Sequence, residues 1–347
     1  MTGEAAYHSV SVAGVVIDEN RRTLVIQRRD NGHWEPPGGI LKRDESIIEG
    51  YESRRVVRLS SQAACSVLSG VIDSPPMVIT HDYADVPVGD RAMRTFVAAP
   101  RAPGRYPGVV FYSDIFQLTG STLRWCMRLA GYGFVVAAPE IYHRIEPAGT
   151  VLEFDDEGKR RGQADAEATS VADFDDDIRA ALDWLEADDR VAAGGLCATG
   201  HCTGGHLGFR AAFDARVRAT ALWYPTGLHD GKLAREADAG SLGRASEIGG
   251  DMLLIFGTND PHTPDEGRAV IKRRLENAGV DFRWRLYDAE HAFGRDIGPR
   301  YDPEVTDAAF AETVAVLATY PVLGRGILVR SCELGELAGS RLSESNR

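Results

Sequence analysis

Short apolar runs alternate with amphipathic stretches along most of this chain. These runs, apolar or mostly apolar, are 108–112, 134–139, 219–224, 252–257 and 282–287, and each predicts a strand. Between them, residues 174–187 carry apolar side chains at helical spacing, and 121–130 and 205–212 also predict helices. Buried strands that alternate with amphipathic helices predict an α/β fold with a mostly parallel sheet covered on both faces. In such sheets the functional groups gather at the carboxyl ends of the strands.

A different pattern precedes this region. Residues 8–27 alternate between apolar and polar on both sides of a turn, which predicts two strands. The turn at Ser74-Pro75-Pro76 is the candidate boundary. We therefore expect a small β-rich segment over residues 1–74, a main domain over 75–320 and a polar, loosely packed tail over 321–347.

Composition excludes several classes of partner. The chain has 347 residues and a formal net charge of −12, which argues against nucleic acid or an anionic membrane as the main partner. No apolar run approaches the roughly 20 residues that a membrane span needs. Residues 1–5 lack the basic and apolar regions of a signal peptide, and five cysteines without framework spacing suggest reduced thiols. We therefore expect a cytoplasmic location.

A glycine-flanked turn around Cys202 is the strongest candidate for chemistry. Residues 194–206 predict a short strand, a tight turn and the start of a helix. Gly200 and Gly204 stand two positions before and two after the cysteine, where a Cβ would collide with such a turn. The spacing predicts a nucleophile elbow that carries cysteine in place of serine.

Two further strand ends carry groups that a nucleophile needs. Asp260 follows the strand at 252–257, and His291 follows the strand at 282–287. Taken singly, Cys202 could be a small buried hydrophobe, Asp260 a helix cap and His291 a solvated loop residue. Together they have the chain order nucleophile, acid, histidine of a hydrolase triad, which is far more specific.

The remaining thiols and a metal site are weaker candidates. Four cysteines lack a comparable turn and are interpreted as structural: Cys65, Cys126, Cys197 and Cys332. His201, Cys202 and His206 match zinc spacing poorly, because zinc sites favour four convergent ligands. The polar stretch 153–168 could be a solvated loop or a cap over a pocket.

These motifs resemble the dienelactone hydrolase (carboxymethylenebutenolidase) family of the α/β-hydrolase fold. The matching pieces, in order over residues 77–320, are 114–116, 139–142, 154–158, 200–206, 256–262 and 291–293. The resemblance implies that Cys202 is the nucleophile, His291 the base and Asp260 the group that orients it. It also implies an oxyanion hole made by the backbone amides of Ile115 and Thr203.

The same resemblance implies an anionic substrate. Arg144 and Arg295 stand where the family's arginines hold a substrate carboxylate. Asp114 stands where the family often has a glutamate that interacts with the resting cysteine, and the shorter side chain puts that contact in question. The implied reaction is hydrolysis of a dienelactone to maleylacetate, with no cofactor or metal.

The N-terminal segment resembles the front half of a Nudix hydrolase. Gly39 and Glu45 have the spacing that opens the Nudix box, but residues 53–58 lack every carboxylate of the helix that follows it in that family. Magnesium needs oxygen ligands, so we expect a non-catalytic remnant. Two alternatives stay open: a magnesium-dependent nucleoside diphosphate hydrolase, or an accessory protein of hydrolase fold that has lost catalysis.

Overall fold

The computed structural model describes residues 77–319 and four short strands before them. These strands are β1 (Ser11–Ala13), β2 (Ile26–Gln27), β3 (Trp34–Glu35) and β4 (Gly38–Ile40). β1 pairs with β4 and β2 with β3, both antiparallel. The chain divides into two compact units, Met1–Pro76 and Met77–Arg347. Most of the Nudix-like segment, including positions 45–58, and the tail over 321–347 lie outside the described residues.

The second unit is built on one eight-stranded sheet. Its strands are β5 (Ile79–Val88), β6 (Arg91–Pro100), β7 (Tyr106–Tyr112), β8 (Val135–Pro139), β9 (Val191–His201), β10 (Val217–Trp223), β11 (Asp251–Gly257) and β12 (Phe282–Tyr287). Their order across the sheet is β12-β11-β10-β9-β7-β8-β6-β5. Strands β7 to β12 run parallel, whereas β5 and β6 are antiparallel at one edge.

Helices cover both faces of this sheet. They are α1 (Gly120–Gly131), α2 (Asp156–Ala168), α3 (Val171–Glu186), α4 (Thr203–Ala211), α5 (Asp265–Ala278) and α6 (Pro303–Leu317), with a 3₁₀ helix at Ser241–Glu247. Along β11, Leu253 and Ile255 pack toward the core that includes α1 and α6, while Leu254 and Phe256 pack toward α4 and α5. Side chains alternate across a strand, so a run that is apolar throughout is buried on both faces.

The observed elements match the predicted parallel strands and differ from the prediction elsewhere. The β5–β6 hairpin was not predicted; it turns at Gly89, whose φ of 58° suits glycine. The polar stretch 153–168 is mostly helix α2, whose first turn is capped by the Asp155 carboxylate accepting from the Gly158 amide at 2.7 Å. The solvated-loop interpretation of this stretch is therefore wrong. Among the described residues, no helix is long and apolar enough to span a membrane.

Candidate active site

The predicted elbow forms between β9 and α4. Cys202 has φ 58° and ψ −120°, a region that side chains other than glycine rarely adopt. A Cβ on Gly200 would lie 2.5 Å from the Gly204 carbonyl carbon, and one on Gly204 would lie 2.5 Å from the Tyr112 carbonyl carbon. Both positions therefore require glycine. The strained turn places the thiol at the start of α4, where the unpaired amides and the helix dipole favour negative charge.

His291 and Asp260 lie together beside this thiol. The Asp260 Oδ2 atom lies 2.7 Å from His291 Nδ1, and Asp260 Oδ1 accepts from the His262 amide at 2.8 Å. The aspartate and histidine are both buried. The Tyr224 and His262 rings flank the imidazole at 5.1 Å and 4.5 Å. Because Nδ1 donates to the aspartate, Nε2 is the nitrogen available to the Cys202 thiol.

The pKa values of Cys202 and His291 shift in the directions that favour a thiolate–imidazolium pair. Burial raises the pKa of Cys202, but the His291 charge and hydrogen bond outweigh it, so that this pKa lies below its usual value. Burial likewise lowers the pKa of His291, but the Cys202 thiolate and the Asp260 carboxylate raise it to about 9. Each of the two charges stabilises the other, so the site favours a thiolate and a protonated imidazole over two neutral groups.

Asp114 contacts the arginine and not the thiol. Its Oδ2 accepts from Arg295 Nη2 at 2.8 Å, and its Oδ1 accepts from the Phe116 amide at 3.0 Å. The Arg295 guanidinium lies 4.9 Å from the Phe116 ring centre and 4.4 Å from that of Phe154. The charge of Asp114 acts to raise the pKa of Cys202. This aspartate therefore positions Arg295 and opposes ionisation of the thiol.

Arg144 lies away from the site. Its Nη2 donates to Asp177 Oδ1 at 2.5 Å, and its Nη1 is 3.6 Å from Asp173 on the same helix α3. It does not line the cavity over the thiol. The structure therefore brings together Arg295 and Asp114 but not Arg144.

A cavity of about 680 Å³ opens above the thiol. Cys202, His291, Ile115, Thr203 and Arg295 all line it, and helix α2 forms part of its wall. The four lining cations are Lys159, Lys232, Arg295 and Arg300, against the three lining carboxylates Asp155, Asp156 and Glu167. Among the described residues, no group of histidine, cysteine and carboxylate side chains could hold a metal ion.

Sequence reasoning missed Thr226. Its hydroxyl donates to Cys202 Sγ at 3.3 Å. The residue lies just after β10, which pairs with β9 in parallel, so its position at the same sheet edge was a usable signal. Nothing in the residue type itself distinguished this threonine from a turn residue.

An elbow after a central parallel strand, followed in chain order by an acid and a histidine at later strand ends, defines an α/β-hydrolase. The model of the Dienelactone hydrolase family matches residues 93–321, so the chain belongs to that family. It is therefore a hydrolase that acts on esters.

The chain is also similar to individual proteins of this family. The chain is 35% identical over 243 residues to a Saccharomyces cerevisiae protein named "Putative carboxymethylenebutenolidase", covering 67% of this chain and 89% of the relative. It is 29% identical over 227 residues to the carboxymethylenebutenolidase of Pseudomonas sp. (strain P51), covering 64% and 89%. A solved structure from Klebsiella pneumoniae, named "Putative Dienelactone Hydrolase", superposes with a TM-score of 0.61 at 22% identity, covering 70% of this chain and all of that one. This last likeness shows the fold alone.

Proposed function

We propose that this protein hydrolyses lactones or activated esters through a covalent thioester on Cys202. The observation that carries the proposal is the His291–Asp260 hydrogen bond of 2.7 Å beside the Cys202 elbow, in a cavity that both His291 and Cys202 line. The thiolate is the reactive form of cysteine. His291 favours this form at the site, so the proposal requires no base other than His291.

In the acylation step, the Cys202 sulfur attacks the carbonyl carbon of the substrate and the carbonyl oxygen becomes an oxyanion. The Thr203 and Ile115 amides are proposed to donate to that oxyanion, a contribution of about 3 to 4 kcal/mol for each donor. Collapse of the intermediate breaks the carbon–oxygen bond of the ester. The oxygen leaves as an enolate or alkoxide, takes the proton of the His291 imidazolium and becomes an enol or alcohol.

In the deacylation step, neutral His291 removes a proton from water at Nε2. The resulting hydroxide attacks the thioester carbon, and Cys202 leaves as the thiolate. Asp260 keeps the Nδ1 proton in place through both steps, so the imidazole always offers Nε2 to the reaction. The sum is one ester and one water consumed, and one carboxylate, one proton and one alcohol or enol released.

We propose an anionic lactone as the substrate class, with dienelactone the leading candidate and maleylacetate its product. Four cations and three carboxylates line the cavity of a chain whose net charge is −12, and the Arg295 guanidinium is oriented by Asp114 and two aromatic rings. A carboxylate on the substrate has a charged partner there. The name of the Pseudomonas relative, carboxymethylenebutenolidase, also supports this class.

The decisive test compares wild-type protein with Cys202→Ala on cis- and trans-dienelactone and on a neutral aryl ester. We expect Cys202→Ala to lose at least about a thousandfold in kcat, as nucleophile loss does in other triads. Cys126→Ala is the matched control, because that buried thiol has a pKa raised by burial and should be dispensable. Full activity in Cys202→Ala would overturn the proposal.

The same preparations separate the alternatives. Magnesium-dependent cleavage of a nucleoside diphosphate that survives Cys202→Ala would favour the Nudix-type activity. Absence of ester turnover, together with no preferential alkylation of Cys202 near neutral pH, would favour a non-catalytic accessory protein. We propose that residues 75–320 form the catalytic domain and that residues 1–74 take no part in catalysis.

A further inference from the structure

Thr226 contacts the Cys202 sulfur through its hydroxyl. Its Oγ1 lies 3.3 Å from Sγ, and its backbone amide donates to the Cys202 carbonyl at 3.1 Å. The loop after β10 is therefore fixed to the elbow at two points. Replacing the hydroxyl alone leaves the backbone bond intact.

The Thr226 proton has two acceptors. The second is the Tyr224 carbonyl at 3.4 Å, whose residue has an unusual φ of 38°. A hydroxyl has a single proton, so it can serve only one acceptor at a time. A thiolate is the stronger acceptor, whereas an acylated sulfur carries no charge to attract the proton.

A buried chain of hydrogen bonds holds this loop in place. His206 Nδ1 lies 3.2 Å from the Thr226 carbonyl, and its Nε2 lies 2.7 Å from Ser241 Oγ. Arg210 Nη1 donates to the same Oγ at 2.9 Å. A carbonyl can only accept, so Nδ1 carries a proton. Burial lowers the pKa of His206 to about 3, so the ring is neutral, Nε2 is the acceptor and Ser241 donates to it.

We propose that Thr226 is a catalytic residue that stabilises the Cys202 thiolate by hydrogen bonding, and that His206 is a positioning residue that holds Thr226 for this task. This proposal rests on the proposed nucleophilic role of Cys202. It assigns to a hydroxyl the contact with the resting sulfur, because the Asp114 carboxylate binds Arg295 and the Phe116 amide and has no proton to donate to a thiolate.

The hydroxyl acts at two points of the cycle. In the resting protein, Cys202 has given its proton to His291, and the Thr226 hydroxyl donates to the sulfur anion. On acylation the sulfur forms its bond to carbon and loses its charge, and the hydroxyl turns to the Tyr224 carbonyl. When water breaks the thioester, the hydroxyl turns back and stabilises the departing thiolate. No proton enters or leaves the hydroxyl.

The test is the pH dependence of Cys202 alkylation by iodoacetamide, with the modified cysteine identified by mass spectrometry. Thr226→Val removes the hydroxyl and preserves the shape, and Thr226→Ser keeps it. Thr263→Val is the matched control, because this buried hydroxyl bonds to the Pro225 carbonyl at 3.4 Å and does not contact the thiol.

We expect Thr226→Val to raise the midpoint of alkylation by about one pH unit, which lowers the rate about tenfold well below the midpoint. The kcat for ester hydrolysis should fall by a similar factor with little change in KM. Thr226→Ser and Thr263→Val should stay near wild type. A folded Thr226→Val protein with the wild-type midpoint would overturn the proposal.

Two variants of His206 test the positioning role. His206→Asn retains a donor near the Nδ1 position toward the Thr226 carbonyl, whereas His206→Gln retains a polar group near Nε2 toward Ser241. The asparagine variant should keep a lower alkylation midpoint than the glutamine variant; the reverse order would contradict the role. Alkylation reports on the thiolate directly, so it tests the contact between the Thr226 hydroxyl and the thiolate separately from the nucleophilic role of Cys202, which Cys202→Ala tests.

Discussion

Replacing Asp260 by asparagine is the sharpest test of the catalytic geometry. The two carboxylate oxygens of this residue have different partners: Oδ1 accepts from the His262 amide at 2.8 Å, and Oδ2 accepts from His291 Nδ1 at 2.7 Å. An asparagine in the same pose can keep the first bond only with its carbonyl oxygen. Its NH₂ group then faces Nδ1 of the histidine and can only donate to it.

That reversal forces the wrong tautomer of His291. With Nδ1 an acceptor, the single proton of neutral imidazole moves to Nε2, which can no longer accept from the Cys202 thiol or from water. The loss of the Asp260 charge also removes one cause of the raised His291 pKa of about 9. The equivalent exchange in a serine protease triad lowers kcat by about 10⁴ through the same tautomer effect, and we expect a loss of this order.

The assay is steady-state hydrolysis of an aryl ester and of dienelactone, with the unfolding midpoint measured in parallel. Asp288→Asn is the matched control, because this aspartate also follows a strand of the same sheet but is exposed and bonded to Thr258 and Asn259. We expect the control to retain wild-type activity. A folded Asp260→Asn protein with more than about a tenth of wild-type kcat would refute the tautomer argument.

Two further predictions concern the elbow and the substrate. Gly204→Ala should lower the free energy of unfolding by about 1 to 3 kcal/mol and reduce activity, because the added Cβ meets the Tyr112 backbone. Gly131→Ala is the control: its added Cβ meets nothing, so its thermal unfolding midpoint should equal that of the wild type. Arg295→Met should lower kcat/KM for dienelactone by about 10- to 100-fold and hardly affect a neutral aryl ester. Arg144→Met should affect neither substrate; equal losses on both esters in Arg295→Met would contradict its role.

Most of the sheet could be predicted from sequence, and so could the chain positions of the candidate nucleophile, acid and histidine. The central parallel strands are mostly apolar, since both of their faces are buried, and this pattern is visible without any partner. The positions of Gly200, Cys202 and Gly204 are likewise local, because the clash that selects glycine arises within the turn and the strand beside it. Asp260 and His291 were predictable because they directly follow strands of the same parallel sheet.

Other parts of the site depend on side chains that converge from distant elements. Arg144 could be placed near a strand end, but its ion pairs with Asp177 and Asp173 on α3 hold it away from the cavity. A pattern of apolar and polar positions does not show which carboxylate an arginine will meet. Helix α2 was also ambiguous, because a polar helix over a cavity and a solvated loop share the same composition.

The partners of Asp114 determine which groups are left to stabilise the resting Cys202 sulfur. An aspartate is one methylene shorter than glutamate, and here both of its oxygens are bound, one by the Phe116 amide and one by Arg295. Its charge opposes ionisation of the thiol, so the favourable contacts must come from elsewhere. His291 and the Thr226 hydroxyl are the groups whose interactions lower the Cys202 pKa against that charge and against burial. With the Asp114 carboxylate bound to Arg295 and to the Phe116 amide, the Cys202 sulfur depends on His291 and Thr226 for the contacts that stabilise its charge.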